Sequence, residues 1–293
     1  MKDEVLTPLG MENASFSWED AFGGAIPNGY EFEGTEVAPY VYPVLASGGL
    51  IASLPDIGRF AAAGMPDFSN SGEAVLEPES IRLLYLPQVE IPGLFGLVAD
   101  AYGFGHFIEI LPGGQKSVWH GGQGHGWMTH FQIIPKKGDG IVILTNSERS
   151  WPLFAEVLTD WAAWRGFGSV KFGRIIHATH TVQILVGVVG AVAVWLLYRL
   201  ISGILTGDRK FAPLGRESRT TRLLSGISGL AILLAIGWCA AQPFLFLTAI
   251  FPSVYPWAAG VLIALAIGLL LFALYPMITR NSIERNHSEN RRI

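Results

Sequence analysis

The sequence predicts an α+β domain followed by three transmembrane helices, and three observations predict it. Half of the 293 residues are hydrophobic and the mean hydropathy is +0.38, too apolar for one ordinary soluble domain. The charge is unevenly divided: residues 1–170 carry 8 Lys+Arg and 20 Asp+Glu, residues 171–293 carry 12 and 4, so nets of −12 and +8 make the total of −4. The two longest uncharged runs both fall in the second part, whereas the first mixes strand-like and helix-like patterns with Gly- and Pro-rich turns. The chain therefore divides into residues 1–170 and a membrane part, 171–293. An acidic first part argues against nucleic acid as a partner. The single cysteine, Cys239, excludes an intramolecular disulfide framework and a Cys-based zinc site.

Taken in order, residues 4–16 read as the end of a helix, a Pro-Gly turn and a polar segment. An irregular stretch rich in Gly, Pro, Tyr and Glu runs to about Val44; such stretches are uncommon unless they cover a site. Residues 45–64 hold a Gly-Gly turn and a helix with Ser53 at its N-cap, Asp56 at the third helical position, and Ile57, Phe60 and Ala61 on its apolar face. Residues 76–86 start a second helix, and residues 101–111 read as a strand. Pro112-Gly113-Gly114 turns into residues 116–120. Residues 120–146 read as two strands, the first beginning in a glycine cluster, joined by the turn formers of residues 135–140. Lys136 and Lys137 belong to that turn and are expected in solvent, while Trp119, Trp127 and Phe131 alternate as core residues. Residues 151–166 form an amphipathic helix, with Phe154, Val157, Leu158 and Trp161 facing the sheet, Ser150 as its cap and Pro152 in its first turn.

In the membrane part, residues 175–198 and 223–279 contain no Asp, Glu, Lys or Arg over 24 and 57 positions. A span needs about 20 apolar residues. The second run is broken where Pro243, Pro252 and Pro256 cluster, so three spans result, at about 179–202, 224–248 and 256–278. Arg199, Arg209, Lys210, Arg216, Arg219 and Arg222 surround the loop between the first two; Arg280, Arg285, Arg291 and Arg292 follow the third. The excess of basic residues places that loop and the C-terminus in the cytoplasm of a multi-pass plasma-membrane protein, and residues 1–170 outside, with Lys171 and Arg174 outnumbered. No charged residue lies deep in a span, and Gln183 and Gln242 read as packing or interfacial residues, so the helices read as an anchor in lipid rather than a transport path. Gly260, Ala264 and Gly268 form a small-residue face suited to packing between the helices.

The cluster Gly121-Gly122-Gln123-Gly124 lets backbone approach another group closely, and on an edge strand such N–H groups can stabilise an oxyanion. HGGQGHGW, followed by a strand, a Pro-Gly turn, GIVILTN and a helix, resembles the third box of the β-lactamase-related serine hydrolases: class C β-lactamases, DD-peptidases and related esterases. TPLGMENASF, SGGLIASLPDIGRF, LEPESIRLLYLPQ and AYGFGHFIE are similar, in the same order, to other passages of that family, so the resemblance covers roughly residues 4–165. It implies a partial β-lactamase/DD-peptidase-like domain, an antiparallel sheet with helices, and acyl transfer on a peptide, β-lactam or ester without cofactor or metal. Some family members also carry a C-terminal membrane anchor. The third box would be His120, Gly121 and Gly122, with the Gln123 N–H as the oxyanion donor and His120 binding a substrate carboxylate or supporting the proton network.

Two other boxes of the family, Ser-x-x-Lys and Tyr-x-Asn, do not occur in the sequence, and neither does Gly-x-Ser-x-Gly. In the family both lie upstream of the passage with which this chain begins. The expectation is therefore the C-terminal part of a longer, membrane-anchored hydrolase, inactive alone and completed by the N-terminal half that carries the nucleophile and a signal peptide. The alternatives are a pseudoenzyme that keeps the cleft and binds cell-wall peptide or a protein partner, and an outer domain that only supports the helices. The isolated outer domain is expected to expose apolar surface. His125 and His130 are expected at the surface or in the core: with His120 they are spaced by five, which on one continuous strand holds the outer two about 33 Å apart and argues against a metal site. Tyr102 is expected to pack rather than line the cleft.

Overall fold

The computed structural model describes residues 1–17, 26–40, 42–67, 75–213, 219–242 and 246–277. It contains two compact units, Met1–Ala178 and Thr179–Ile293.

The first unit is built on a six-stranded antiparallel meander. Its elements in chain order are a helical turn at Lys2–Leu6, β1 (Ala14–Ser15), β2 (Gly29–Tyr30), β3 (Glu36–Val37), α1 (Leu45–Gly48), β4 (Ile51–Ala52), α2 (Leu54–Ala63), α3 (Pro78–Leu84), β5 (Val89–Glu90), a 3-10 turn at Gly93–Leu97, β6 (Ala101–Tyr102), β7 (Phe107–Ile110), β8 (Lys116–Gly124), β9 (Trp127–Ile134), β10 (Asp139–Thr145) and α4 (Trp151–Arg165). The main sheet has the order β10-β9-β8-β7-β6-β5; β1 pairs with β4 and β2 with β3 in two small ladders. The α+β class, antiparallel sheet with helices, is as the sequence predicts.

Each helix forms for a local reason. At α2, Ser53 Oγ accepts from Asp56 N at 3.3 Å and donates to Asp56 Oδ2 at 2.8 Å, and Pro55 lies in the first turn. Asp56 is fully buried and also binds Arg59 Nη1 at 2.8 Å, so the cap is a core element as well. At α4 the expected cap is different in kind. Ser150 occupies the cap position, but its hydroxyl donates to Ser147 O at 2.8 Å and accepts from Thr145 Oγ1 at 2.7 Å, which ties the helix start to the end of β10. Gly166, at φ 72°, ends α4 in the left-handed conformation that glycine supplies.

The helices cover both faces of the sheet. Val118 and Ile133 pack with Ala61, Met65, Ile81 and Tyr85 from the α2–α3 side, joined by Leu84, Phe131 and Val142. On the opposite face Trp119 and His130 meet Phe172 at ring distances of 5.0 Å, and His130 lies 5.7 Å from Phe154 of α4. A file of neutral polar groups crosses this buried face: His130 Nε2 contacts Gln132 Oε1 at 3.2 Å, and Gln132 Nε2 donates to Ser117 Oγ at 2.7 Å. Glu109, paired with Ser117 in the neighbouring strand, is 1 % exposed; its Oε1 accepts from Lys171 N at 2.5 Å, and its Oε2 has no partner among the described residues.

Three expectations change. Residues 101–111 are two strands, because Gly103-Phe104-Gly105-His106 makes a turn closed by Gly103 N to His106 O at 2.8 Å, with Gly105 at φ 72°. Residues 120–146 belong to three strands, and the glycine cluster ends β8 rather than beginning a strand. The extra turn is His125-Gly126, where Gly126 has φ 94°. That turn overturns the 33 Å separation of His120 and His130: the chain folds back, His130 pairs with Gly121, and its ring lies 5.2 Å from Trp119. Trp119 and His130 are core residues, Trp127 and Phe131 are half-buried, and Lys136 and Lys137 are exposed.

The second unit holds three helices long and apolar enough to cross a membrane: α5 (Gly173–Leu205), whose first turns belong to the first unit, α6 (Arg219–Ala240) and, after the short α7 (Phe246–Ile250), α8 (Tyr255–Leu274). α6 stops eight residues before the expected end of its span, just ahead of Pro243, which lies with Arg216, Arg280, Arg285, Arg291 and Arg292 outside the described residues. α6 and α8 touch closely at Gly229, where a Cβ would lie 2.9 Å from Ala266 O. Gly268 faces Leu197 of α5, while Gly260 and Ala264 line an apolar groove with Gly190 and Ala193. Arg209 Nη1 donates to Tyr275 O and Arg222 Nε to Ala273 O, both at 2.8 Å, so an arginine before α6 and one in its first turn cap the C-terminal end of α8.

Candidate functional site

The ladder parity of β8 decides which backbone groups are free. Its turn with β7 is closed by Leu111 N to Gln115 O at 2.9 Å, and in an antiparallel ladder the bonding pairs then alternate. Ser117 and Trp119 bond toward β7, while Val118, His120, Gly122 and Gly124 bond toward β9. Gly122 N accordingly reaches Thr129 Oγ1 at 3.1 Å. β7 begins at Phe107, opposite Trp119. The N–H groups of Gly121 and Gln123 therefore point past the start of β7, where no strand follows among the described residues. Glycine suits Gly121 and Gly122, since a Cβ would lie 2.9 Å from Thr129 O and 2.8 Å from Thr129 Oγ1. The Gln123 side chain is held by Trp151 Nε1, which donates to its Oε1 at 3.3 Å.

His120 stands at the root of this free stretch. Its Nε2 meets the Tyr102 hydroxyl at 3.3 Å, and Phe107 flanks the ring at 5.6 Å. Burial, reinforced by nearby His106, holds its pKa below the ordinary histidine value, so the imidazole is neutral at pH 7. The Gly121 backbone acts in the opposite sense, and Nε2 is the ring nitrogen that meets the Tyr102 hydroxyl. Tyr102 packs against Phe107 at 4.7 Å between ring centroids, as expected, and its hydroxyl also meets His120, a contact that sequence reasoning missed. Its signal was slight: a tyrosine one residue before a Gly-x-Gly turn, which the fold places across from His120.

The rim beyond Gln123 is built by residues 28–40, the irregular stretch expected to cover a site. Gly29 lies so close to Gly126 that a Cβ would come within 2.6 Å of its carbonyl oxygen, and Tyr30 N donates to that oxygen at 3.0 Å. Tyr40 OH accepts from His125 N at 3.0 Å, and Asn146 Nδ2 donates to Asn28 O at 2.8 Å. His125 faces Glu31 at 3.3 Å and Glu148 at 3.7 Å. His120, Gly121, Gly122 and Gln123 thus form one continuous wall, and His125 belongs to its rim. His130 lies behind the wall, in the core, where burial pushes its pKa down to about 4.

The site is thus a meander with helices on both faces, whose inner glycine-rich strand outruns its neighbour beside a neutral histidine. The chain belongs to the β-lactamase family: the family model matches residues 1–160 of the 293. Among solved structures it is similar to the octameric penicillin-binding protein homologue from Pyrococcus abyssi, with a TM-score of 0.50 and 24 % identity over 61 % of this chain. The chain spans 40 % of the length of that protein. No curated protein matches.

Proposed function

We propose that residues 1–170 form the C-terminal wall of an acyl-transfer cleft, held outside the plasma membrane by α5, α6 and α8, with the C-terminus in the cytoplasm. The Gln123 N–H donates to the oxyanion that forms when a serine attacks a peptide, β-lactam or ester carbonyl. His120, neutral through burial, serves the proton network beside that carbonyl rather than acting as a fixed cation for a carboxylate. The serine, its lysine and the tyrosine of the remaining boxes come from a polypeptide segment outside this sequence, and this chain by itself is inactive.

The observation that carries this reading is the run of β8 past Phe107, which leaves the Gly121 and Gln123 N–H groups aimed beside His120. The test is covalent labelling of the full chain in membranes with a fluorophosphonate and a fluorescent penicillin. The chain alone stays unlabelled, and a form joined by a Ser-x-x-Lys polypeptide labels on that polypeptide. Labelling of this chain by itself overturns the proposal. Binding of peptidoglycan fragments with no labelled form in native membranes replaces it with a pseudoenzyme.

A further inference from the structure

The far end of β8 has a neighbour on one side only. From His120 to Gly124 the strand pairs with β9, while among the described residues its pairing with β7 stops at Trp119. Gly121, Gly122 and Gly124 lie in this stretch, and glycine leaves the backbone its widest freedom. An arm of glycines bonded along one edge does not fix its own direction. What holds its tip therefore decides where the Gln123 N–H points.

The tip is the turn Gly124-His125-Gly126-Trp127, and three of its backbone groups are held by other segments. His125 N donates to Tyr40 OH at 3.0 Å, and Gly126 N donates to Glu148 Oε1 at 2.8 Å. Gly126 O accepts from Tyr30 N at 3.0 Å. Glu148 is the hub of this cage. Its own N donates to Tyr30 O at 3.0 Å, and its carboxylate lies 3.7 Å from His125 Nδ1. One residue thus joins the hairpin tip, the strap of residues 28–40 and the segment that leaves β10. It is 8 % exposed, and among the described residues no lysine or arginine pairs with it. A carboxylate that accepts a backbone N–H makes a stronger hydrogen bond than a neutral oxygen does, which suits a single contact that must fix a flexible arm.

We propose that Glu148 is a positioning residue: through Gly126 N it holds the tip of β8 and so aims the Gln123 N–H at the substrate carbonyl. The inference rests on the reading of Gln123 as the oxyanion donor. The Gln123 side chain is tied separately, by Trp151 Nε1 at 3.3 Å, so the carboxylate acts on the backbone of the arm. Aim decides the value of such a donor, since a displacement of about 1 Å costs on the order of a hundredfold in rate.

The experiment uses the full chain in its native membranes, joined by the Ser-x-x-Lys polypeptide, and follows acylation against fluorophosphonate concentration. Glu148→Ala lowers the rate at saturating probe about tenfold and changes the half-saturating concentration by less than about twofold. Glu148→Gln, which keeps an oxygen for Gly126 N, restores the rate to within about threefold. Glu33→Gln, the same loss of charge at an exposed strap position, leaves the rate unchanged. In the full chain without the polypeptide, the Gly126 amide exchanges at least tenfold faster in Glu148→Ala than in wild type. Protection of the β9 amides shows that the alanine variant is folded; if they are unprotected, Glu148→Asp takes its place with the same expectation, because it keeps the charge but withdraws it from Gly126 N by one methylene. Fast Gly126 exchange with an undiminished acylation rate makes the cage structural only and overturns the inference. Unchanged Gly126 exchange, a loss confined to the half-saturating concentration, or an equal fall in Glu148→Gln also overturns it. Each of these leaves the proposed function standing. A wild-type chain for which no labelled polypeptide exists removes the proposed function and the inference together.

Discussion

The two edges of the main sheet are opposites. β5 is two residues long, lies between Pro87 and Pro92, ends in Glu90, and presents Val89 at 62 % exposure. β10 is seven residues long, half-buried, and has its single charge neutralised. The first edge is finished: proline and charge on a short strand leave little for another chain to pair with. The second has the chemistry of a strand with neighbours on both sides. One sheet thus carries two edges of different character, and composition tells them apart although both come last in the strand order.

Stability should follow the same division. The largest effect is expected beside β10: Ile134, fully buried and paired with Asp139, should cost about 2–5 kcal/mol when replaced by alanine. Denaturant unfolding of the full chain in micelles, followed by exchange of the β8 and β9 amides, measures it.

Next in size is a pair of opposed pH effects, one from each half of the sheet. Burial pushes the Glu109 carboxyl on β7 from 4.5 up to about 7, so its contribution is whole below pH 4.5 and is lost as the pH rises through 7. His130 on β9 is held from 6.5 down to about 4, so its contribution is whole above pH 6.5 and is lost as the pH falls toward 4. Each amounts to about 3 kcal/mol, at roughly 1.4 kcal/mol per pH unit, and between 4.5 and 6.5 the two slopes cancel. Glu109→Gln should therefore unmask a loss of stability on acidification, and His130→Gln a loss on going from pH 4.5 to 7. Parallel profiles for wild type and both variants break this account.

Smaller still, Tyr102→Phe should cost about 1 kcal/mol through the lost contact with His120, and alter the imidazole ¹⁵N shifts of that residue. Smallest is Val89→Lys on the finished edge, expected to change stability by no more than about 0.5 kcal/mol.

What could be read from the residues divides along physical lines. α2 and α4 were legible because helical spacing and flanking caps are local. The glycine cluster was legible only in part: it was read as the start of an edge strand, whereas it ends β8, which lies between β7 and β9. The pairs β1–β4 and β2–β3 were not legible: two-residue strands have no periodicity, and β4 lies tens of residues from β1. Tyr102 was invisible as a partner of His120 because only the meander brings β6 and β8 together. The polar file was missed for a similar reason: His130, Gln132, Ser117 and Glu109 lie on three strands and meet only after two turns close.

The strap formed by residues 28–40 has a kinetic consequence. Its hydrogen bonds to His125 and Asn146 span 85 and 118 positions of sequence, whereas the hairpins beneath it close over a handful. Loop-closure entropy makes contacts of such long range late to form, and they have nothing to grip until the His125–Gly126 turn exists. The strap is therefore expected among the last parts of this unit to assemble, with hydrogen exchange of the Tyr30 and His125 amides as the measurement that checks it.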